Sequence, residues 1–341
     1  MSGHSVSTRM VCYFIFVLAA IVTFHHNERR ALSLSYGGYC TRCDTHHVLP
    51  TTDDAKQAAL HLRHRMIQSG RIDIDELPVE EQERLLSSSV NSSEEDDDDE
   101  NRENFSTISI DENQSGNFCL DVKLDPLLAT EKLYERRGKM FGVLVCEAPC
   151  NNSRKKQEDV VILKAYAGKL GGQWNLPGWA PLVGKVPESI PEFRRKSAEV
   201  TKLFEKIESL EEKNTENNEE TASIISLQIK ELLKERSRLS TLCIEEIKKH
   251  QVLNNFRGIR MPIQETFAKG PNKLPGGTGD CAAPKLVAQA VQLGLKPIGI
   301  CEIFVGATGG MSTTKKDGDF YDACEPRCQQ IAGYMLCGLD I

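Results

Sequence analysis

The sequence lacks an apolar run long enough to cross a bilayer comfortably. Residues 11–24 form a 14-residue apolar run, whereas a membrane-spanning helix needs about 20 such residues. A run of this length behind a short start containing Arg9 has the form of a secretory signal peptide. Ala31-Leu32-Ser33 offers small residues for cleavage, although late in the chain. A retained signal-anchor, or a bipartite address leading on to an organelle such as a plastid, has the same pattern. Secretory-pathway entry is therefore expected, with membrane contact only through this segment.

The sequence also lacks a regular cysteine framework. Its 12 cysteines are unevenly spaced, so no disulfide pairing follows from counting. Cys146, Cys301 and Cys337 fall in apolar runs, where a free cysteine behaves as a small core hydrophobe. An excess of basic charge is missing too, since the chain has a net charge of −7. That value belongs to one stretch: residues 94–112 hold ten acids and one Arg, a local −9, which leaves about +2 elsewhere. The acidic balance therefore does not exclude RNA as a partner of the folded part, because local Lys/Arg clusters suffice for phosphate contact. DNA is not an expected partner.

What is present divides into three parts. Residues 1–33 are the targeting segment. Residues 34–115 are expected to be a largely disordered acidic linker, because the Ser-rich and EEDDDDE stretches cannot bury enough apolar surface to offset chain entropy. Within it, helical spacing through Ala59, Leu60, Leu62 and Met66 predicts one amphipathic helix over 53–69. Cys40-Thr41-Arg42-Cys43 followed by His46 and His47 has zinc-ligand chemistry. With no second pair at finger spacing, no metal is assigned to it.

Residues 116–341 are expected to form one α/β domain. The apolar runs at 140–146 (MFGVLVC) and 160–165 (VVILKA) read as two buried strands, and 297–306 (PIGICEIFVG) as a third. The Gly/Pro-rich loop LPGGTGD precedes a helix that Pro284 suits as a first-turn residue. Lacking the Gly-Lys-Ser/Thr end, that loop is no nucleotide-phosphate motif. A last helix follows DFYDACEPRC. An antiparallel helical hairpin, coiled-coil-like, is inserted at about 189–253, with Ile225, Ile229, Leu232 and Leu239 near one face of its second helix. Arg194, Arg195, Lys196, Lys234, Arg236, Arg238 and Arg257 are the candidate RNA contacts of the domain, chosen by charge position.

Cys281 stands at one helix start, and Cys324 with Cys328 at another. Three thiolates from two helix starts make an open site suited to zinc, and the strand-strand-helix-strand-helix order is deaminase-like. That chemistry needs a Glu two residues after the first ligand to carry the proton, and this slot holds Ala283. Glu302 and Glu325 are out of register. The second motif also departs, with three residues between its thiols. No catalytic residue is assigned, and whether the chain is an enzyme is left open.

Five stretches, in order, carry a family likeness: ERRGKMFGVLVC, LLKERSRLS, NNFRG, PGGTGDCAAPKLVAQAVQLGLKPIGICEIFVG and FYDACEPRCQQIAGYMLCGL. Together they resemble the N-terminal extension of certain bacterial RluA-type RNA pseudouridine synthases. One departure is Ala282, where that family shows a second adjacent cysteine. The catalytic synthase domain and its His-Arg-Leu-Asp-type motif are absent. The resemblance implies a non-catalytic module that binds structured RNA or an RNA-modifying enzyme. A truncated gene product of a complete synthase, or a divergent zinc-dependent deaminase-like hydrolase, are the alternatives.

Overall fold

The computed structural model describes residues 34–72, 125–135, 137–148, 160–214, 219–309 and 314–339. The expected signal segment and the acidic stretch 73–124 lie outside them.

The chain enters as a β-hairpin, β1 (Ser35–Cys40) against β2 (Thr45–Pro50), with Cys40 opposite Thr45. Helix α1 (Asp53–Ser69) follows; Thr52 caps it by accepting from the Ala55 N–H at 3.3 Å. Its bounds are those read from the sequence, but its buried stripe is Ala55, Ala59, Leu62 and Met66, with Leu60 turned outward. The remaining elements are α2 (Glu131–Glu135), β3 (Lys139–Glu147), β4 (Val160–Tyr166), α3 (Pro191–Asn214), α4 (Glu219–Lys249), β5 (Val252–Asn254), β6 (Arg260–Pro262), α5 (Ile263–Thr266), α6 (Ala282–Leu293), β7 (Lys296–Val305), β8 (Phe320–Tyr321) and α7 (Gln329–Met335).

The fold is mixed α/β, and its described sheets are antiparallel throughout. A four-stranded sheet runs β4-β3-β7-β8. Side chains alternate across it with the pleat. Phe141, Val143 and Val145 of β3, with Cys301, Ile303 and Val305 of β7, face α1. Leu144, Cys146 and Ile300 face the other way, onto α6 and α7. Two helical layers thus enclose the sheet. Trp179 folds back onto the first face, 5.7 Å from the Phe141 ring and 5.5 Å from Tyr166.

The boundary expected at 116 is corrected by this arrangement. The hairpin β1–β2 and α1 belong to the same packed body as the sheet, not to a linker: Leu62 and Met66 pack with Phe141 and Ile303, and Tyr36 and Leu49 pack with α6 and α7. Burying a side chain the size of Leu or Met stabilises by about 1.5–3 kcal/mol. The low apolar density of 34–72 concealed this, because each short element meets its partners only across the fold.

The inserted hairpin is α3 against α4. It is antiparallel: Lys196 near the start of α3 bonds Glu246 near the end of α4 at 2.6 Å, and Asn214 at the far end meets Ser226 at 3.5 Å. Ile207, Ile225, Leu239 and Cys243 supply its buried seam. Among the described residues, no helix is long and apolar enough to cross a membrane.

Candidate metal centre

Cys281 is the N-cap of α6, in extended conformation, and its thiol makes no capping hydrogen bond to the helix. Cys324 and Cys328 come from the turn leading into α7. There the Cys328 N–H donates to the Cys324 carbonyl at 3.0 Å, so the two thiols lie one helical turn apart on the same side. The three-residue spacing that departs from Pro-Cys-x-x-Cys is thereby reconciled with convergence. The three Sγ atoms lie within 4.8 Å of one another, with Cys281 and Cys324 separated by 3.6 Å. These residues could hold a metal ion. Cys328 is buried, whereas Cys281 and Cys324 are partly exposed, so the cluster is open on one side.

The packing that brings α6 here depends on small residues. Ala282, Ala283, Leu286 and Val287 are fully buried against the sheet. A Cβ at Gly142 would lie 2.9 Å from the Ala282 Cβ and 3.0 Å from the Leu286 Cδ1. Glycine at 142 is therefore what allows the helix to approach so closely. Gly142 is also the cross-strand partner of Glu302, so the space it leaves open adjoins that side chain.

Glu302 is 7% exposed, and its carboxylate accepts from the Ala283 N–H at 3.0 Å. Burial raises its pKa to about 7, opposed by that hydrogen bond and reinforced by the negative charge of Cys324. Glu325, the other carboxylate considered, is exposed. Among the thiols, Cys324 is pulled far down by its contacts with the Cys281 and Cys328 sulfurs, and the Arg327 guanidinium adds positive charge. Cys281 is pushed up by its contacts with Cys324 and Cys328 and by burial. For Cys328, the contact with Cys281 lowers the pKa, but the contact with Cys324 and burial outweigh it. Lys315, depressed mainly by burial, carries a charge that reaches Glu302 and Cys324, and its Nζ stands 3.8 Å from the Tyr321 ring centroid. Tyr36 forms a buried wall of the site; its hydroxyl meets the Met335 sulfur at 3.5 Å.

Lys285, in the middle of the CAAPKL segment, is fully buried. Its ammonium donates to the Tyr166 carbonyl at 3.0 Å and the Gly168 carbonyl at 3.1 Å, tying α6 to the end of β4.

The seven candidate RNA contacts are not brought together as one basic surface. Arg195 pairs with Glu192 and Glu199, Arg238 with Glu235, and Lys196 with Glu246 and Glu192. Lys196 keeps only 13% of its side chain exposed. Arg194, Lys234 and Arg257 are exposed and Arg236 half-buried; among the described residues these four form no ion pair.

Sequence reasoning set Glu302 aside as out of register, although a single carboxylate inside the apolar run PIGICEIFVG is a signal in itself: burying a charge is costly without a purpose or a partner. Of a second cluster, the sequence offered Cys40, Cys43 and His47 but not Cys337. Cys40, Cys43, His47 and Cys337 place one ligand atom each within 4.8 Å of the others. Cys337 is thus more than the core filler expected, whereas Cys146 and Cys301 are core residues, both pushed up to about 12 by burial.

Compared with known proteins, the chain matches no protein-family model, no curated protein and no solved structure, so its functional reading rests on the geometry of these side chains.

Proposed function

We propose that this protein is a zinc-dependent hydrolase of deaminase-like architecture, holding the metal through Cys281, Cys324 and Cys328 and removing an amino group from a nucleobase-like ring. The observation that carries the reading is the position of Glu302. The proton-carrying Glu of such a site belongs two residues after the first ligand, where this chain has Ala283. Its carboxylate arrives from the neighbouring strand instead, 3.0 Å from the Ala283 N–H. The sequence placed a non-catalytic module first on the family resemblance and set the deaminase reading last on the missing acid at 283; a carboxylate reaching that slot from β7 favours the deaminase reading.

The donor set fits the ion. Metal–sulfur bonds of about 2.3 Å at tetrahedral angles put sulfur atoms about 3.8 Å apart, close to the 3.6 Å between Cys281 and Cys324. Three protein ligands with an open fourth position are the pattern of a catalytic rather than a structural site. When bound, zinc supplies Lewis acidity and lowers the pKa of water.

The residues supply the rest. The Ala283 N–H holds one oxygen of Glu302, which leaves the other free to take a proton. Glu302 accepts that proton as the water oxygen bonds to the ring carbon bearing the amino group. It passes that proton to the adjacent ring nitrogen, then carries the remaining hydroxyl proton to the amino nitrogen, which leaves as ammonia as the carbon–nitrogen bond breaks, and the carbon keeps a carbonyl. Tyr36 and Lys315 bound the space around the carboxylate. The resemblance to the extension of RNA pseudouridine synthases supports a base in structured RNA as the substrate, with Arg194, Lys234, Arg236 and Arg257 as its remaining phosphate contacts.

The test uses the full-length chain, purified reduced. Zinc is measured by mass spectrometry, and ammonia release is followed on cytosine- and adenine-containing RNA and nucleosides. Expected are zinc that is lost in Cys281→Ser and ammonia release that is lost in Glu302→Gln while zinc is kept. Zinc-loaded protein that releases no more ammonia than Glu302→Gln would sink the proposal.

A further inference from the structure

We propose that Cys40, Cys43, His47 and Cys337 form a second zinc site, closed and structural, that clamps the N-terminal hairpin to the end of α7. The four ligand atoms lie within 4.8 Å of one another. The Cys43 and Cys337 sulfurs are 3.7 Å apart, near the roughly 3.8 Å edge of a zinc–thiolate tetrahedron and far from the roughly 2.05 Å of a disulfide. The Cys43 sulfur meets the His47 Nε2 at 3.0 Å, so an ion entering between them has only to part that contact by about half an ångström.

Local structure explains why these four residues meet. Cys40 ends β1, and the turn to β2 carries Asp44 at a positive φ of 55°, which folds Cys43 back beside Cys40. His46 and His47 are consecutive in β2 and so point to opposite faces. His46 meets the Tyr39 ring in a tilted contact with centroids 5.4 Å apart, while His47 turns to the thiols. Cys337, 294 residues beyond Cys43, arrives just past the end of α7.

The contact the site would secure is unusually close. A Cβ at Gly38 would lie 2.4 Å from the Gln329 carbonyl oxygen, and one at Gly333 would lie 2.3 Å from the Tyr39 carbonyl carbon. At these two glycines strand β1 and helix α7 therefore touch backbone to backbone. Cys40 and Cys337, at the end of this contact, are 1% and 2% exposed. A site with four protein ligands and two buried thiols has no place for a substrate, which separates it from the three-thiol cluster. Because α7 carries Cys328 at its start and Cys337 just past its end, the clamp also fixes Cys328 and the Tyr36 wall of the first site.

The experiment is metal stoichiometry on the full-length chain, with zinc alone as the probe. The triple variant Cys281→Ser/Cys324→Ser/Cys328→Ser retains one zinc per chain, and adding Cys337→Ser removes it. Cobalt loaded into the triple variant gives tetrahedral d–d absorption and thiolate-to-cobalt charge transfer, both lost in Cys43→Ser. Should the triple variant fail to fold, His47→Gln and Cys337→Ser in the otherwise native chain each take the count from two to one. A triple variant that is folded but metal-free overturns the proposal, as does a Cys43–Cys337 disulfide in the native protein or a zinc count insensitive to both single changes. Failure of the catalytic reading looks different: the native chain would hold one zinc, lost with Cys337 but indifferent to Cys281.

Discussion

The carboxylate of Glu302, on a central strand, accepts the backbone N–H of Ala283, the second residue of the helix that Cys281 caps, at 3.0 Å. An acid from one element is thereby held against the first turn of the other.

Glu302→Gln keeps an oxygen for the Ala283 N–H but cannot carry a proton. Ammonia release should fall by about 10²–10⁴-fold, the usual contribution of a general acid–base group. Zinc content and thermal midpoint should stay close to those of the native chain, since fold and ligands are untouched. Calorimetry beside the activity assay separates the two effects.

Gly142→Ala should destabilise the protein by about 1–3 kcal/mol, the usual cost of an added methyl in a filled space. The new Cβ would meet the Ala282 Cβ at 2.9 Å, and neither backbone can yield without moving the other. Because α6 carries Cys281 at its cap, zinc affinity at that site should weaken as well. Urea denaturation and competitive zinc chelation read the two consequences.

Lys285→Met leaves the Tyr166 and Gly168 carbonyls without their shared donor. A buried acceptor left unpaired costs about 1–3 kcal/mol. The variant should also change the response to alkali. Burial holds Lys285 down to about 8, against 10.5 for an unhindered lysine. Between these values the unfolded chain binds a proton that the folded chain does not, so this group makes stability rise with pH across that window. The rise should be missing from the variant when urea midpoints of the two proteins are compared at pH 7.5 through ~10.5.

Glu246→Gln should loosen the junction of α3 and α4. Glu246 accepts from Lys196 and Lys249, and these partners hold it down to about 2. A carboxylate depressed in the folded state stabilises above its unfolded pKa of about 4.3 and loses that contribution as pH falls through the folded value. The difference in urea midpoint between native and variant should be full at neutral pH and shrink steadily below ~4.3. A gap that does not change with acid would show that the pair contributes nothing.

Much of this molecule can be read locally. The strands at 139–147 and 296–305 are continuous apolar runs because both faces of the sheet are covered, and α1 and α6 follow from helical spacing and their caps. The convergence of Cys281 with Cys324 and Cys328 was legible as well, because thiols at two successive helix starts flanking one strand are brought to the same edge. Hairpin β1–β2 was not legible as part of the domain, since its burial comes from α7, at the other end of the chain.

What the sequence by itself determined, then, was the set of elements and the chemistry carried on each, because periodicity, caps and turn residues act within a few neighbours. Only the tertiary structure decided which groups face one another. The antiparallel register of β3 and β7 sets Gly142 opposite Glu302 and so turns an apparent intruder in a core strand toward Ala283. The backbone contact of Gly38 with α7 brings Cys337 to Cys40, Cys43 and His47, which have no further thiol nearby in sequence. Both depend on packing between residues far apart along the chain, where no local pattern carries the distance.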